Sequence, residues 1–463
     1  MTGQIHDTAS TLDTPAHPVT RSIPVASGLP LVGSLFRMVR SPLEGFLSMT
    51  RECGPVFYFK VFHQKMLVMA GPDVNRFLSE EGKDCIISAE YWKDLVTYWE
   101  CPQVLIALDG QPHIDERRLW KRYISRDVAN SEQTQMFTVL RDCTDLYAHG
   151  NVVSVRQFCR TLVTRELSFL FTGDIFHLPP ELAQSLVEYM RTLLSVKAMK
   201  AWPGFVMRLP FFRKHERNVK AFAAELLQRA RSHLDEDSLF SMVIKRVDAD
   251  SSRTEAELVP ILLLPFIAGL DTLANAMTFL FSELLADPAL LARVRDDVDR
   301  ACADNAGALP PPEQMRHIPA LFGVCQETLR RHPIAFASMR HAAKDFDYEG
   351  YHVSAGQQIV FFTSSAHFDP AIFRDPYTFD IDRFLEPRVE QRTRYAFSPY
   401  GRGPHICLGA AMAESIFLST VACLLRYYDF SAATPGERYK TIYEPGPSLP
   451  DKFGMRVKKR QQK

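Results

Sequence analysis

The chain has 463 residues with 46% hydrophobic content, enough to bury a large core, and its 54 basic and 54 acidic residues cancel to zero formal charge. That balance gives no reason to expect nucleic acid or another bulk electrostatic partner. Nine cysteines without regular spacing fit a reducing compartment better than a disulfide framework.

In chain order, residues 1–22 read as a polar tail with no apolar core, so neither a signal peptide nor a membrane anchor is expected, and the protein reads as soluble and cytoplasmic. No Gly/Ser-rich or charge-rich linker follows, and residues 23–463 read as a single domain. Pro24 to Gly33 is a Pro/Gly-rich loop. Val56 to Met69 alternates as short strands with a turn near His63 and Gln64. Tyr91 to Trp99 holds four aromatics in nine residues, a composition suited to a bulky apolar ligand or to packing. His113 and Arg117 stand four apart on a helical stretch.

Leu258 to Leu270 is an uncharged run of thirteen residues with Pro260 and Pro265 inside it. Thirteen is short of the ~20 residues that span a bilayer, so a long buried helix to about Leu285 is expected. On it, Thr272 can turn its hydroxyl back to the carbonyl four residues earlier and open the helix locally, while Gly269 leaves space. Asp271 beside Thr272 is an acid next to an alcohol, as a proton relay needs; an Asp-Thr at a surface kink has the same sequence.

Glu327 and Arg330 share a face of a helix that ends before Pro333, either as a surface ion pair or as a buried device. Gly350 to Thr363 offers two more strands around Ala355-Gly356. The intervening chain is mostly amphipathic helix.

The most informative stretch is Ala396 to Gly409, which presents Cys407 on a glycine-rich turn before a helix expected over Ala410–Tyr428. Helix N-terminal amides would stabilise a sulfur anion there, so Cys407 reads as a thiolate ligand to a metal. A buried cysteine acting as a small hydrophobe is the bland alternative, and zinc lacks further ligands at suitable spacing.

The pattern of Tyr400, Gly403, Cys407 and Gly409 resembles the haem-binding signature of the cytochrome P-450 family, with Tyr400 where Phe is usual. Companion motifs stand in family order from about Ile23 onward. The resemblance implies a mainly α fold with a small β region. Haem b would lie between the long central helix and the cysteine-loop helix, with Cys407 as its axial thiolate. It implies a structural triad of Glu327, Arg330 and Arg383, the last from Ile381-Asp382-Arg383-Phe384. Ala268 to Thr272 resembles the oxygen-binding motif, with Asp271 and Thr272 as catalytic residues, although Leu273 stands where a second hydroxyl is common. His113, Arg117, Arg340 and His405 are implied partners of the haem propionates.

The resemblance also implies a substrate pocket from Trp92, Tyr98, Trp99, Phe266, Ala268, Ala335, Phe336 and Ala337, open to a terpenoid, steroid, fatty acyl chain or natural-product intermediate. Electrons would come from a separate ferredoxin or flavodoxin-type partner meeting Arg118, Lys121, Arg122 and Arg402. The activity implied is insertion of one oxygen atom of O2. Rearrangement, dehydration or oxidative coupling on the same haem-thiolate, or a haem sensor without turnover, are the rival readings.

Overall fold

The computed structural model describes residues 21–172, 178–234, 238–250, 254–444 and 446–461. Helices dominate, and the β structure is confined to four small sheets. The largest sheet has five strands. Val56–Val61 and Gln64–Ala70 form the expected hairpin, Gln64–Ala70 runs parallel to Gln358–Phe362, and Ser338–Ala342 follows antiparallel with Ile86–Ile87 at the edge. The period of two in these strands buries both faces. Phe57, Phe59, Val68 and Phe362 pack on Phe46 and Leu47 of the helix Pro42–Cys53. Val56, Leu67, Met69 and Phe361 turn the other way, onto Phe77 and Leu78 of the helix Pro72–Ser79.

The two strands expected around Ala355-Gly356 are present as Tyr351–Val353 and Gln358–Phe362, but they pair with different partners rather than with each other. A three-stranded sheet near the C-terminus places Gly454–Lys459 between His149–Ser154 and Tyr428–Ala432.

The central helix runs over Glu255–Ala286, 32 residues, longer than the apolar run alone suggested. Ile261, Leu262, Leu263 and Leu264 are consecutive and all buried, so this turn of the helix is enclosed on every side. Pro265 has no N–H, which leaves the Ile261 carbonyl without its usual helical donor. The helix Val155–Thr172 packs along it, and the cysteine-loop helix Ala410–Tyr427 lies in the same apolar core. Both the central and the cysteine-loop helices are long and apolar enough to cross a membrane by length and composition. In each, 67% of the most apolar window is buried within the fold, as expected of core helices.

Candidate functional site

Backbone conformation sets the cysteine loop. Gly401 and Gly403 adopt φ of 75° and 79°, the left-handed region that disfavours side chains. At Gly403 a Cβ would also lie 2.7 Å from the Leu78 carbonyl oxygen, so only glycine lets the loop approach that helix. The loop closes where Cys407 N–H donates to the Tyr400 carbonyl at 3.0 Å and Ile406 N–H to the Gly403 carbonyl at 3.1 Å. Gly409 caps the helix that follows.

Fixing this loop to the rest of the fold falls to a buried polar lattice. Glu327 accepts from Arg330 Nε at 2.7 Å and Nη2 at 2.8 Å, from Arg383 Nε at 3.1 Å, and from Asp380 N–H at 3.0 Å. All three triad side chains are 0% exposed. Arg330 Nη1 also donates to the His367 carbonyl at 2.6 Å, and His367 Nε2 accepts from Ser398 N–H, in the cysteine loop, at 2.8 Å. Burial and the Arg330 charge push His367 down to about 3, so its imidazole is neutral and can accept there. Asn75 Nδ2 reaches the same loop at Tyr395 O and Ser398 Oγ. Neither His367 nor Asn75 was singled out from sequence.

Across the loop stands the central helix. One cavity is lined by Ala268, Gly269 and Thr272 on one wall and His405, Cys407 and Gly409 on the other, with Leu105, Leu167, Phe171, Leu264 and Met412 making it apolar. Thr272 Oγ1 donates to the Ala268 carbonyl at 2.8 Å and lies 3.2 Å from that of Gly269. Gly269 contributes backbone to the wall, but its missing Cβ points elsewhere: it would lie 2.9 Å from Leu167 Cδ1. Its smallness therefore serves close packing of the helix Val155–Thr172 rather than space in the cavity.

Asp271 does not line this cavity. One residue round the helix, it faces a second cavity and pairs with Arg160 Nη2 at 3.0 Å. Thr272 borders both cavities.

A basic cluster closes one end of the site. His113 and Arg117 line the cavity from the helix Gly110–Lys121, and the His113 and His405 rings stack 4.1 Å apart. Burial and the neighbouring His405 and Arg117 charges push His113 down to about 4. Burial likewise pushes Arg340 down to about 10, and its Nη1 donates to its neighbour's carbonyl, Met339 O. Asp109 acts on this cluster, accepting from His405 Nε2 at 2.9 Å and from the N–H groups of Ser88 and Ala89. Two guanidinium groups and two imidazoles able to donate N–H, around the Asp109 carboxylate, leave room for further anionic groups.

At Cys407, burial raises the thiol above its ordinary value, and this outweighs the lowering by the Gly409 N–H and Arg117. The Cys407 thiol lines the cavity and is open to a group bound there, and a bound cation would stabilise its thiolate together with the loop amides. A group carrying both a metal ion and carboxylates fits this donor set, with a thiol facing an apolar cavity and cations at its end.

Other expected residues sit elsewhere. Tyr98 and Trp99 turn toward the helices Pro210–Arg231 and Pro180–Leu193, where Tyr98 OH donates to Glu216 at 2.6 Å and Trp99 Nε1 to Tyr189 OH at 3.2 Å. Trp92 stacks edge-on with Tyr91. Phe336 and Ala337 pack into the sheet core beside Phe46, and Ala335 is exposed. None of these six lines the cysteine cavity. Phe266 is buried against Phe171, Phe222 and Phe240 and borders the second cavity. Arg402 is turned inward, donating to Ser398 Oγ at 2.7 Å and to the Phe397 carbonyl, so it is no free surface charge. Arg118 and Lys121 are exposed on the outer side of the helix that carries His113 and Arg117.

A cysteine loop braced by a buried Glu-Arg-Arg lattice, opposite an Ala-Gly-x-Asp-Thr helix, defines a haem-thiolate oxidoreductase class of fold and site. The chain belongs to the cytochrome P450 family, whose sequence model matches residues 23–456. It is 24% identical to a sterol 14alpha-demethylase of Mycolicibacterium vanbaalenii over 419 residues, 88% of this chain and 91% of that protein. To a ferruginol synthase of Salvia miltiorrhiza it is 22% identical, covering 87% and 86% of the two chains. The retinoic acid bound cyanobacterial CYP120A1 shares the fold with a TM-score of 0.78 at 22% identity, over 96% of this chain and 100% of that one. Family and fold together imply haem held by a cysteine thiolate, and make the chain a cytochrome P450 monooxygenase.

Proposed function

We propose that this monooxygenase inserts one oxygen atom of O2 into a bulky apolar substrate of terpenoid, steroid or acyl type, with electrons from a separate ferredoxin or flavodoxin-type partner. The observation that carries the reading is the single apolar cavity shared by Cys407 and the Ala268–Thr272 segment. Cys407 would hold the iron of haem b through its thiolate, and His113, Arg117, Arg340 and His405 would hold the propionates. Bound haem b supplies the activation of O2 at iron.

The chain's own residues do the rest. The Glu327, Arg330 and Arg383 lattice, through His367 and Ser398, fixes the height of the Cys407 loop. Leu105, Leu167, Phe171 and Leu264 keep bulk water from the site and receive the apolar substrate. Thr272 stands at the boundary between the two cavities, where its hydroxyl can hold a proton-carrying water. Asp271 faces the second cavity, with Oδ1 on Arg160; in the proposed relay its carboxylate takes a proton from water and returns one through water to the Thr272 hydroxyl, as that hydroxyl passes its own proton inward. Exposed Arg118 and Lys121 offer the electron donor a positive surface. We propose further that residues 23–463 act as one catalytic domain. The name of one relative, a sterol 14alpha-demethylase, favours a sterol-like polycyclic substrate.

The test is a visible titration of the purified protein with terpenoids, steroids and acyl chains. A saturable shift of the Soret band from low-spin toward high-spin iron is expected for ligands that reach the cavity. Properly folded protein without a haem band would overturn the reading.

A further inference from the structure

The second cavity lies against the first, with Thr272 in both walls. It is mostly apolar, bounded by Leu186, Met190, Phe266, Ile267, Leu270 and Ile334. Four polar side chains also border it. Three of them are already satisfied. Arg191 pairs with Glu188, Asp271 with Arg160, and Thr272 donates to its own helix.

Asn275 is different. It is 2% exposed, and its Oδ1 accepts from Ser448 Oγ at 2.7 Å. In this orientation, and among the described residues, its Nδ2 has no hydrogen-bond partner. A buried carboxamide that borders a cavity with both N–H groups free is costly unless a ligand or water accepts from it. Three residues on from Thr272, it stands about 4.5 Å further along the helix axis, on a neighbouring face.

We infer that this second cavity is a substrate subsite in which Asn275 Nδ2 donates to an acceptor oxygen, such as a ketone, on an otherwise apolar ligand. The inference rests on the function proposed above and narrows its substrate class to oxygenated polycyclic molecules. The oxygen acceptor would stand about one helical turn from the carbon oxidised beside Thr272. Ser448, on the strand Pro447–Ser448, is a positioning residue that orients the amide.

The test uses iron-coordinating probes, which bind whatever the natural substrate. Haem-loaded protein is titrated with 1-phenacylimidazole and its deoxy analogue 1-phenethylimidazole, and with a second such pair one methylene longer. In at least one pair the ketone is expected to bind about tenfold tighter to the wild type. Asn275→Leu should bring that ratio to about one, and Ser448→Ala, which frees the amide to turn, should lower it without abolishing it. Equal affinities in both wild-type pairs, or a ketone preference that survives Asn275→Leu, would overturn the inference and leave the proposed function standing. Failure of every imidazole to bind at iron would overturn the proposed function and this inference with it.

Discussion

Removal of the Glu327 carboxylate, as Glu327→Gln or Glu327→Ala, tests the lattice beneath the cysteine loop. The carboxylate accepts four hydrogen bonds, three of them from two guanidinium groups that are 0% exposed. Deleting one partner of such a buried set costs about 3–5 kcal/mol, because the remaining charges stay buried without compensation. At an unfolding entropy of about 2.1 cal/mol/K per residue, 463 residues give on the order of 1 kcal/mol/K, so Tm should fall by about 3–5 °C. Haem retention is the more sensitive readout, because Arg330 connects through His367 to Ser398 in the loop itself. The assay compares the Soret-to-protein absorbance ratio and Tm with those of Asp382→Asn, which removes the exposed Arg293–Asp382 ion pair next to Arg383. That surface pair should be worth no more than about 1 kcal/mol. A Glu327 variant with full haem load and a Tm within a degree of wild type would refute the reasoning.

Thr272→Ala should keep haem and substrate affinity but divert electrons from product to hydrogen peroxide, and Thr272→Ser should restore coupling; the check is product formed per reducing equivalent. Asp271→Asn should slow turnover by about a hundredfold with haem content and ligand affinity unchanged, measured by steady-state kinetics. His367 titrates near 6.5 when unfolded but is held down to about 3 in the fold. The unfolded state therefore binds the extra proton, and stability falls as pH drops below about 6.5 at up to about 1.4 kcal/mol per unit. Denaturant unfolding at pH 7 and pH 5 should show a loss about 2 kcal/mol larger in wild type than in His367→Gln.

Sequence revealed most where chemistry is local. The cysteine loop is contiguous, so its glycines, cysteine and following helix could be placed together, and the hairpin at Val56–Ala70 declared itself by alternation and a two-residue turn. Glu327 and Arg330 share a helix turn for the same reason. Contacts made across long separations were hidden. His367 meets Ser398 across 31 residues, Asp109 meets His405 across 296, and Arg160 meets Asp271 across 111. No periodicity encodes such meetings. The aromatics of Tyr91–Trp99 left ligand binding and packing open, because a Tyr or Trp follows whichever partner satisfies its polar tip, and Glu216 and Tyr189 lie on distant helices. Arg402 misled: a cation in a tight loop found carbonyl and hydroxyl acceptors at hand and turned inward.

The central claim is that Cys407 binds haem iron as a thiolate in the cavity beneath Thr272. X-ray absorption at the iron edge of the purified protein tests it most directly, comparing wild type with Cys407→Ser. The account predicts one sulfur in the first shell of each iron in the wild type and none in the variant. A first shell of nitrogen and oxygen alone in the wild type, or sulfur that persists after Cys407 is replaced, would contradict it.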